Sequence, residues 1–248
     1  MTGRICRFGL IVTGKGEEAF LPQLFGVLME RAHCVFTVIR RIGQRDPITA
    51  PKKLLRMVGS GQRLPTKDEE EIGLPVLKFL RTYPGSFAMV VDDLEDARRA
   101  IVNDVFARYR NALDEVLTPS GLHRRAAAHF LVSMLEAYYF ADSRAVNSVA
   151  ESLVLAADHP TDVEQIPRPK GELKRLWPGF DEMDHGGLIL KRLDVDHVLC
   201  RPAECCWLRT MFAWCVANLH EAQAIHDETL TNAFCLADGC RAETTSRQ

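Results

Sequence analysis

Phe87-Ala88-Met89-Val90-Val91, followed at once by Asp92-Asp93-Leu94-Glu95-Asp96, is the stretch on which the fold turns. Five apolar residues without polar alternation fit a strand buried on both faces, as in the middle of a parallel sheet. A long helix is predicted beyond the acids to about Leu117, with Ile101, Val105, Tyr109 and Leu113 at helical spacing. Upstream, Ile5 to Val12 reads as a similar strand that ends in Thr13-Gly14-Lys15-Gly16-Glu17-Glu18. A helix follows it, with Phe20, Leu24, Val27 and Leu28 on one face. Pro22 fits the first turn of that helix, where no N–H is needed. Cys34 to Ile39 is a β-branched and aromatic strand, Ala126 to Phe130 a fourth strand, and Val132 to Ala141 a helix containing Glu136. Strands and helices thus alternate, which implies an α/β fold with a doubly wound, mostly parallel sheet flanked by helices. Sites in such sheets lie beyond the carboxyl ends of the strands. The acids after Val12 and those after Val91 are therefore expected to share one mouth.

Composition agrees with a globular α/β chain. The 248 residues are 47% hydrophobic and 26% charged, enough to bury a core without staples. Thirty-one Lys and Arg against 33 Asp and Glu leave a formal charge of −2, which argues against coating nucleic acid by bulk attraction but leaves room for a local basic patch. No apolar run reaches membrane-spanning length and the start lacks signal-peptide features, so a cytoplasmic protein with no membrane partner is expected. The eight cysteines include no C-x-x-C pair, in keeping with a reduced compartment.

Between the second and third strands, Arg40 to Arg63 carries seven cations against Asp46, with several Gly and Pro, and reads as a long basic loop. Arg40, Arg41, Lys52 and Lys53 are its candidates for phosphate or nucleic-acid contact, against the alternatives of a solvated loop or an acidic protein interface. Thr66 to Arg81 follows as a helix whose Thr66 and Glu69 form a capping box, with a kink at Pro75. After about residue 150 a polar, Pro-rich connector leads to helices at Glu172 to Trp177 and Ala203 to His220. Residues 1–150 are thus read as the α/β domain and 151–248 as a helical extension packed on it, with a frayed tail.

The strongest chemical signal is acidic. Glu17 and Glu18 follow strand one, Asp92, Asp93 and Glu95 follow strand three, and Glu136 stands in an otherwise apolar segment. Carboxylates gathered at one point repel, and a Mg²⁺ or Mn²⁺ ion relieves that repulsion directly. The plainer alternatives are helix-start acids stabilised by the dipole, and a core acid paired with an arginine. Gly14-Lys15-Gly16-Glu17 lacks P-loop spacing and the Ser/Thr after Lys, so no nucleotide is expected there. Cys200, Cys205, Cys206, Cys215, His220, His226, Cys235 and Cys240 match no zinc framework, and no zinc is expected.

Three runs, Ile11 to Leu21, Val90 to Glu95, and His129 to Asp142, together resemble an uncharacterised family of TOPRIM-like proteins. TOPRIM is the metal-binding module of topoisomerases, primases and OLD-type nucleases. The resemblance spans roughly residues 5 to 215 and includes Pro169-Lys170-Gly171-Glu172-Leu173. It implies a TOPRIM-like domain over residues 1–150. It also implies a role in a phage-defence or DNA-processing system, since members are often encoded beside a P-loop ATPase. The family motif places a Glu before Gly14, where this chain has Thr13, and a second Asp two residues after Asp92, where it has Leu94. Glu17 matches a downstream acid that many relatives carry.

Two readings follow from the resemblance. In the first the chain is the Mg²⁺- or Mn²⁺-dependent phosphodiesterase or nuclease component. Glu17, Asp92 and Glu136 are then catalytic, Glu17, Asp92, Asp93 and Glu95 hold metal, and nucleic acid is the substrate. In the second it is a non-catalytic partner or regulatory subunit of the ATPase, with a degenerate site. The retained acids favour the first reading, and Thr13 and Leu94 the second.

Overall fold

The computed structural model describes residues 5–47, 63–201, 204–227, 229–230 and 234. Strand β1 (Cys6–Val12) leads into α1 (Lys15–Leu24), α2 (Gly26–Arg31) and β2 (Cys34–Arg41). A π-helical turn (Glu69–Gly73) opens α3 (Leu74–Thr82), followed by β3 (Phe87–Leu94), α4 (Asp96–Arg99), α5 (Val102–Leu117) and β4 (Ala126–Val132). A 3₁₀ helix (Leu135–Ala141) then precedes α6 (Ser143–Ala150), α7 (Pro169–Leu176), α8 (Gly187–Arg192), α9 (Val195–Val198) and α10 (Cys206–Glu221). A short 3₁₀ turn, Val163–Gln165, precedes α7, and a π-helical turn, Glu182–Gly186, precedes α8. The four strands form one parallel sheet in the order β2-β1-β3-β4, a Rossmann-like α/β arrangement. The order reverses between β1 and β3, and their carboxyl ends flank the switch point where such sheets carry ligands. Among the described residues no helix is long and apolar enough to cross a membrane.

Period-two alternation gives the sheet two apolar faces. On one, Phe8, Phe36 and Phe87 pack with Met89, Val91, Leu131, Phe25 and the helical residues Leu21, Met211, Phe212 and Cys215. Phe8 stacks on Phe36 at 4.6 Å, Phe36 on Phe25 at 4.1 Å, and Phe25 on Phe212 at 5.3 Å, which ties β1, β2, the turn between α1 and α2, and α10 into one aromatic column. On the other face Ile11, Ala88, Val90, Leu94 and Phe130 meet Val76, Leu80, Val105, Tyr109 and Leu113 of α3 and α5. The helices after residue 150 share the first core with the sheet.

Several local expectations are corrected. α1 starts at Lys15, directly after an extended Gly14, so Glu17 and Glu18 fill its first turn and Pro22 lies near its end. The chain turns at Phe25, three residues after Pro22, and restarts as α2. β2 runs through Arg41, so Arg40 and Arg41 finish a strand and do not begin a loop. β3 extends to Leu94, which places Asp92 and Asp93 inside the strand. The helix after β3 is broken at Ile101, between α4 and α5. β4 runs on to Val132, Ser133 and Met134 take positive φ values of 59° and 77°, and Glu136 sits in a 3₁₀ helix. The capping box forms as its pattern predicts: the Glu69 N–H donates to Thr66 Oγ1 at 3.3 Å and the Thr66 N–H to Glu69 Oε2 at 3.2 Å. The π-helical turn lies immediately before the helix whose first turn holds Pro75.

α10 begins at Cys205 in a left-handed conformation with no side-chain cap of its own. Carboxylates from the Pro-rich connector satisfy its first turn. Glu164 accepts from the N–H groups of Trp207 and Leu208, each at 3.1 Å, and from the Tyr138 hydroxyl at 2.9 Å, while Asp162 accepts from the Cys205 N–H at 3.1 Å. Glu164→Ala strands these buried donors, and such losses cost about 1.5–3 kcal/mol. Urea unfolding of the variant is expected to show a lower midpoint at an unchanged slope; an unchanged midpoint would remove Glu164 as the cap.

Candidate active site

Consecutive residues of a strand face opposite ways, so β3 delivers Asp92 and Asp93 to different sides of the sheet. Asp92 belongs to the α5 side and is wholly buried. Its Oδ1 accepts from Thr13 Oγ1 at 2.8 Å, and its Oδ2 accepts from Arg98 at 2.7 Å and from the Tyr109 hydroxyl at 2.8 Å. Arg98 also donates to the backbone carbonyls of Asp93 and Arg45, both at 2.7 Å. Asp92 is thus the hub of a clamp that joins the end of β1, α4, α5 and the strand β2 exit. Burial opposes the charge on the guanidinium more than any single neighbour supports it, but the hydrogen bond and charge of Asp92 together with Tyr109 outweigh burial and hold the group protonated. Burial, reinforced by Asp92, pushes the Tyr109 phenol up, so it remains a donor.

Asp93 points to the α1 side, where Glu17 from the first turn of α1 lies against it and Glu136 from the 3₁₀ helix after β4 is near enough to act on it through its charge. All three side chains are buried. Glu17 Oε2, Asp93 Oδ1 and Glu136 Oε1 each lack a hydrogen-bond partner. Two carboxylates in contact supply only acceptors, so without a cation the pair keeps a proton. Accordingly, burial first, then Glu17, Glu136 and Asp92, push the Asp93 carboxyl well above the usual range. Burial also raises Glu136, and Lys170 opposes that rise. Two glycines make room for the acids: a Cβ on Gly14 would overlap the Glu17 carboxylate, and one on Gly16 would overlap that of Glu182. Lys170, in the first turn of α7, pairs with Glu182 and stands 3.6 Å from Glu136 Oε1, longer than a hydrogen bond. The buried Tyr139 phenol is raised by burial and then by Glu136, Glu182, Glu17 and Asp93, which places it at the same cluster.

The structure therefore brings together Glu17, Asp93 and Glu136, and separates Asp92 from them. Glu95 is exposed at the rim, on a cleft shared with Lys170. Glu18 turns outward to pair with Arg41 at 2.6 Å, and Arg40 is exposed on the edge strand. Other described cations of the expected basic loop also answer to acids of the same chain: Arg45 pairs with Asp68 at 3.2 Å and with Glu71, and Arg63 with Glu69 at 2.9 Å. Lys52 and Lys53 lie outside the described residues, as do Cys235 and Cys240. His197 pairs with Asp158 at 2.7 Å. Lys170 and Tyr139 stand in the sequence only within the runs Pro169 to Leu173 and His129 to Asp142, with no site role marked by pattern, and Glu182 lies in neither run. The alternation Phe87, Met89, Val91, Asp93 is the signal that selects Asp93; Glu182 has no comparable local signature. Among the described residues, no group of three His, Cys, Asp or Glu side chains is already arranged to hold a metal ion.

Two expectations separate the roles of the paired aspartates. Asp92→Ala leaves Arg98 as a buried charge without its partner, which typically costs about 3–5 kcal/mol; chemical denaturation should show a loss of that order, and a near-neutral change would dissolve the clamp. Asp93 acts in the opposite sense. Its folded pKa exceeds the unfolded value of about 3.9, so its contribution is fully present below that pH and is lost as pH rises through the folded value. Asp93→Asn removes this loss and gives Glu17 a donor. Without divalent cations, melting temperature against pH should fall less steeply for the variant than for the wild type. Parallel curves would mean that Asp93 shares no proton with its neighbours.

No curated protein and no solved structure matches the chain. A family model does, over residues 12–214, a span that takes in β1's end, the clamp, the carboxylate cluster, α7 and most of α10. The chain belongs to the family described as a domain of unknown function, DUF4276.

Proposed function

We propose that this chain is a divalent-cation-dependent phosphodiesterase, the TOPRIM-like nuclease component of a cytoplasmic phage-defence or DNA-processing system that works with a P-loop ATPase partner. The observation that carries this reading is the set of three buried carboxylate oxygens, on Glu17, Asp93 and Glu136, that accept no hydrogen bond, supplied by three separate elements beside the switch point of a parallel sheet. Hard oxygen donors of this kind suit Mg²⁺ or Mn²⁺, and a cation takes the place of the proton that the cluster otherwise retains. Glu17, Asp93 and Glu136 would hold the ion, with Glu182 beside them. When bound, such an ion polarises a phosphoryl oxygen and lowers the pKa of water. The chain's own residues do the rest. Lys170, held by Glu182 and close to Glu136, offers a positive charge to a phosphate oxygen. The Asp92 clamp fixes the strand end from which Asp93 projects.

A second reading is favoured by a specific observation. Thr13, where the resemblance expects an acid, spends its hydroxyl on Asp92, and Leu94, at the second motif position, is buried in the α5-side core. That arrangement suits a non-catalytic subunit of the same ATPase system. Cation binding and hydrolysis separate the two. Mn²⁺ at about 100-fold over its dissociation constant stabilises a folded binder by about 2.7 kcal/mol, roughly 5–10 °C for a chain of this size. Glu17→Gln and Asp93→Asn should abolish the shift. In the nuclease reading they also lower Mg²⁺-dependent cleavage of labelled oligonucleotides by about 10²-fold or more. A wild-type Mn²⁺ shift without cleavage would select the non-catalytic subunit, and no wild-type shift would end the cation reading.

A further inference from the structure

Beside the carboxylate cluster lies a cleft of about 610 Å³ between the β3 and β4 exits and the start of α7. Its charged lining is Arg168, Lys170 and Lys174 against Glu95. Pro169 and Leu173 anchor α7 in the body of the protein, and Glu172 and Arg175 pair with each other at 2.6 Å. Lys174 is left to the cleft, one turn after Lys170, which lines it while pairing with Glu182; their Cβ atoms are separated by about 5–6 Å. Arg168 precedes them in a left-handed conformation, φ 48° and ψ 55°, a geometry that a non-glycine residue adopts at a cost. Among the described residues, neither Arg168 nor Lys174 has a carboxylate in ion-pair contact. The opposite wall is strained as well: Met134 holds φ 77° and ψ 165°, a region close to glycine-only, and Ser133 before it is at φ 59°. This turn is strapped down by the Ser133 N–H to Leu94 O at 3.1 Å, by Ser133 Oγ to Glu164 O at 3.3 Å, and by Arg99, which donates to both Ser133 Oγ and Glu164 O. Strain held by several bonds on one wall, and on the other Arg168 and Lys174 without a carboxylate in contact, beside a Lys170 already paired with Glu182, mark a cleft shaped for an anion.

We propose that this cleft is a subsite for the phosphodiester backbone of a single nucleic-acid strand, with Arg168 and Lys174 meeting successive phosphates and Lys170 standing at the junction with the carboxylate cluster. The assignment deepens the phosphodiesterase reading and rests on it for its purpose, though not for its binding chemistry. The cleft's volume falls within the range of small-molecule sites, about 300–1,000 Å³, which suits a few nucleotides of one strand and not a duplex. It moves strand contact away from Arg40 and Arg41 at the sheet edge to a surface that adjoins the buried acids. No aromatic side chain lines the cleft, so the subsite reads charge and not base identity.

The test is fluorescence anisotropy of labelled twelve-nucleotide DNA and RNA strands with the full chain in EDTA, so that neither cleavage nor a cation contributes. The wild type should bind at least one of the two strands. The double variant Arg168→Gln, Lys174→Gln should weaken that binding about tenfold or more. It should also reduce the slope of log affinity against log salt by about 1.4, the value for two lost phosphate contacts on a single strand. Both residues are exposed, so its melting temperature should match the wild type. Absence of wild-type binding to either strand, an unchanged affinity and salt slope in the double variant, or full competition by a mononucleotide at equal concentration would each overturn the subsite. Because EDTA is present, loss of the Mn²⁺ response elsewhere would sink the cation reading without touching this one.

Discussion

At the carboxyl end of β3 two adjacent aspartates leave the sheet on opposite sides, and the different fates of their charges organise the surrounding structure. Asp92 is compensated completely, by Arg98, Tyr109 and Thr13. Asp93 is not compensated at all by a cation of its own; its neighbours are Glu17 and Glu136. A buried charge of the first kind is a structural rivet, since removing one partner strands the others. A buried acid of the second kind is a liability unless it keeps a proton or acquires a cation. The rivet makes the liability tolerable, because Arg98 binds the Asp93 carbonyl as well as the Asp92 carboxylate and so holds the strand end rigid where repulsion would otherwise spread it.

Such an arrangement destabilises the fold relative to one with an apolar residue at position 93, and folding alone gives no reason for it. Gly14 and Gly16 sharpen the point. Each leaves space that a carboxylate fills, Glu17 over one and Glu182 over the other, so the α1 entrance is shaped to admit acids that repel each other. Lys170 is the one described cation in contact with the group, and it reaches Glu182 more closely than Glu136. Its charge falls short of the number of acids around it. The deficit is positive charge, which is the property that a divalent ion or the proton on Asp93 supplies.

Much of this architecture was legible in the sequence because it rests on patterns longer than a few residues. Four apolar runs at Ile5, Cys34, Phe87 and Ala126 mark the four strands, and their alternation with helices implies a parallel sheet and a site at its carboxyl edge. The capping box at Thr66 and Glu69 formed as written. Local sequence does not decide where the elements begin and end. Ending β3 at Val91 instead of Leu94 put both aspartates in a loop, where they had no faces to choose between; three more strand residues made Asp92 and Asp93 opposites. The missing N–H of Pro22 suits a first turn, whereas the extended Gly14 and the two dipole-favoured glutamates set the start of α1 at Lys15, well before Pro22. The Val132 to Ala141 segment has helical composition, yet the turn at Ser133 and Met134 is imposed by bonds to Leu94 and Glu164, which local sequence does not reveal.

Lys170 and Glu182 could not be read locally because they reach the site only through tertiary packing. Both lie after the connector at which the chain was divided, yet they complete a cluster whose other members come from α1, β3 and the segment after β4. α10 makes the same point in the core, since Phe212 and Met211 close the aromatic column begun by Phe8 and Phe36. The connector itself is a structural part, for its Asp162 and Glu164 cap α10 and its Glu164 carbonyl anchors the strained wall of the cleft. The segment after residue 150 therefore contributes to the cluster as well as to the core. The carboxylate cluster draws Glu17, Asp93 and Glu136 from the carboxyl edge of the sheet and Glu182, with the cation Lys170 that pairs with it, from the segment after the connector, so its charges are set by both parts of the chain together.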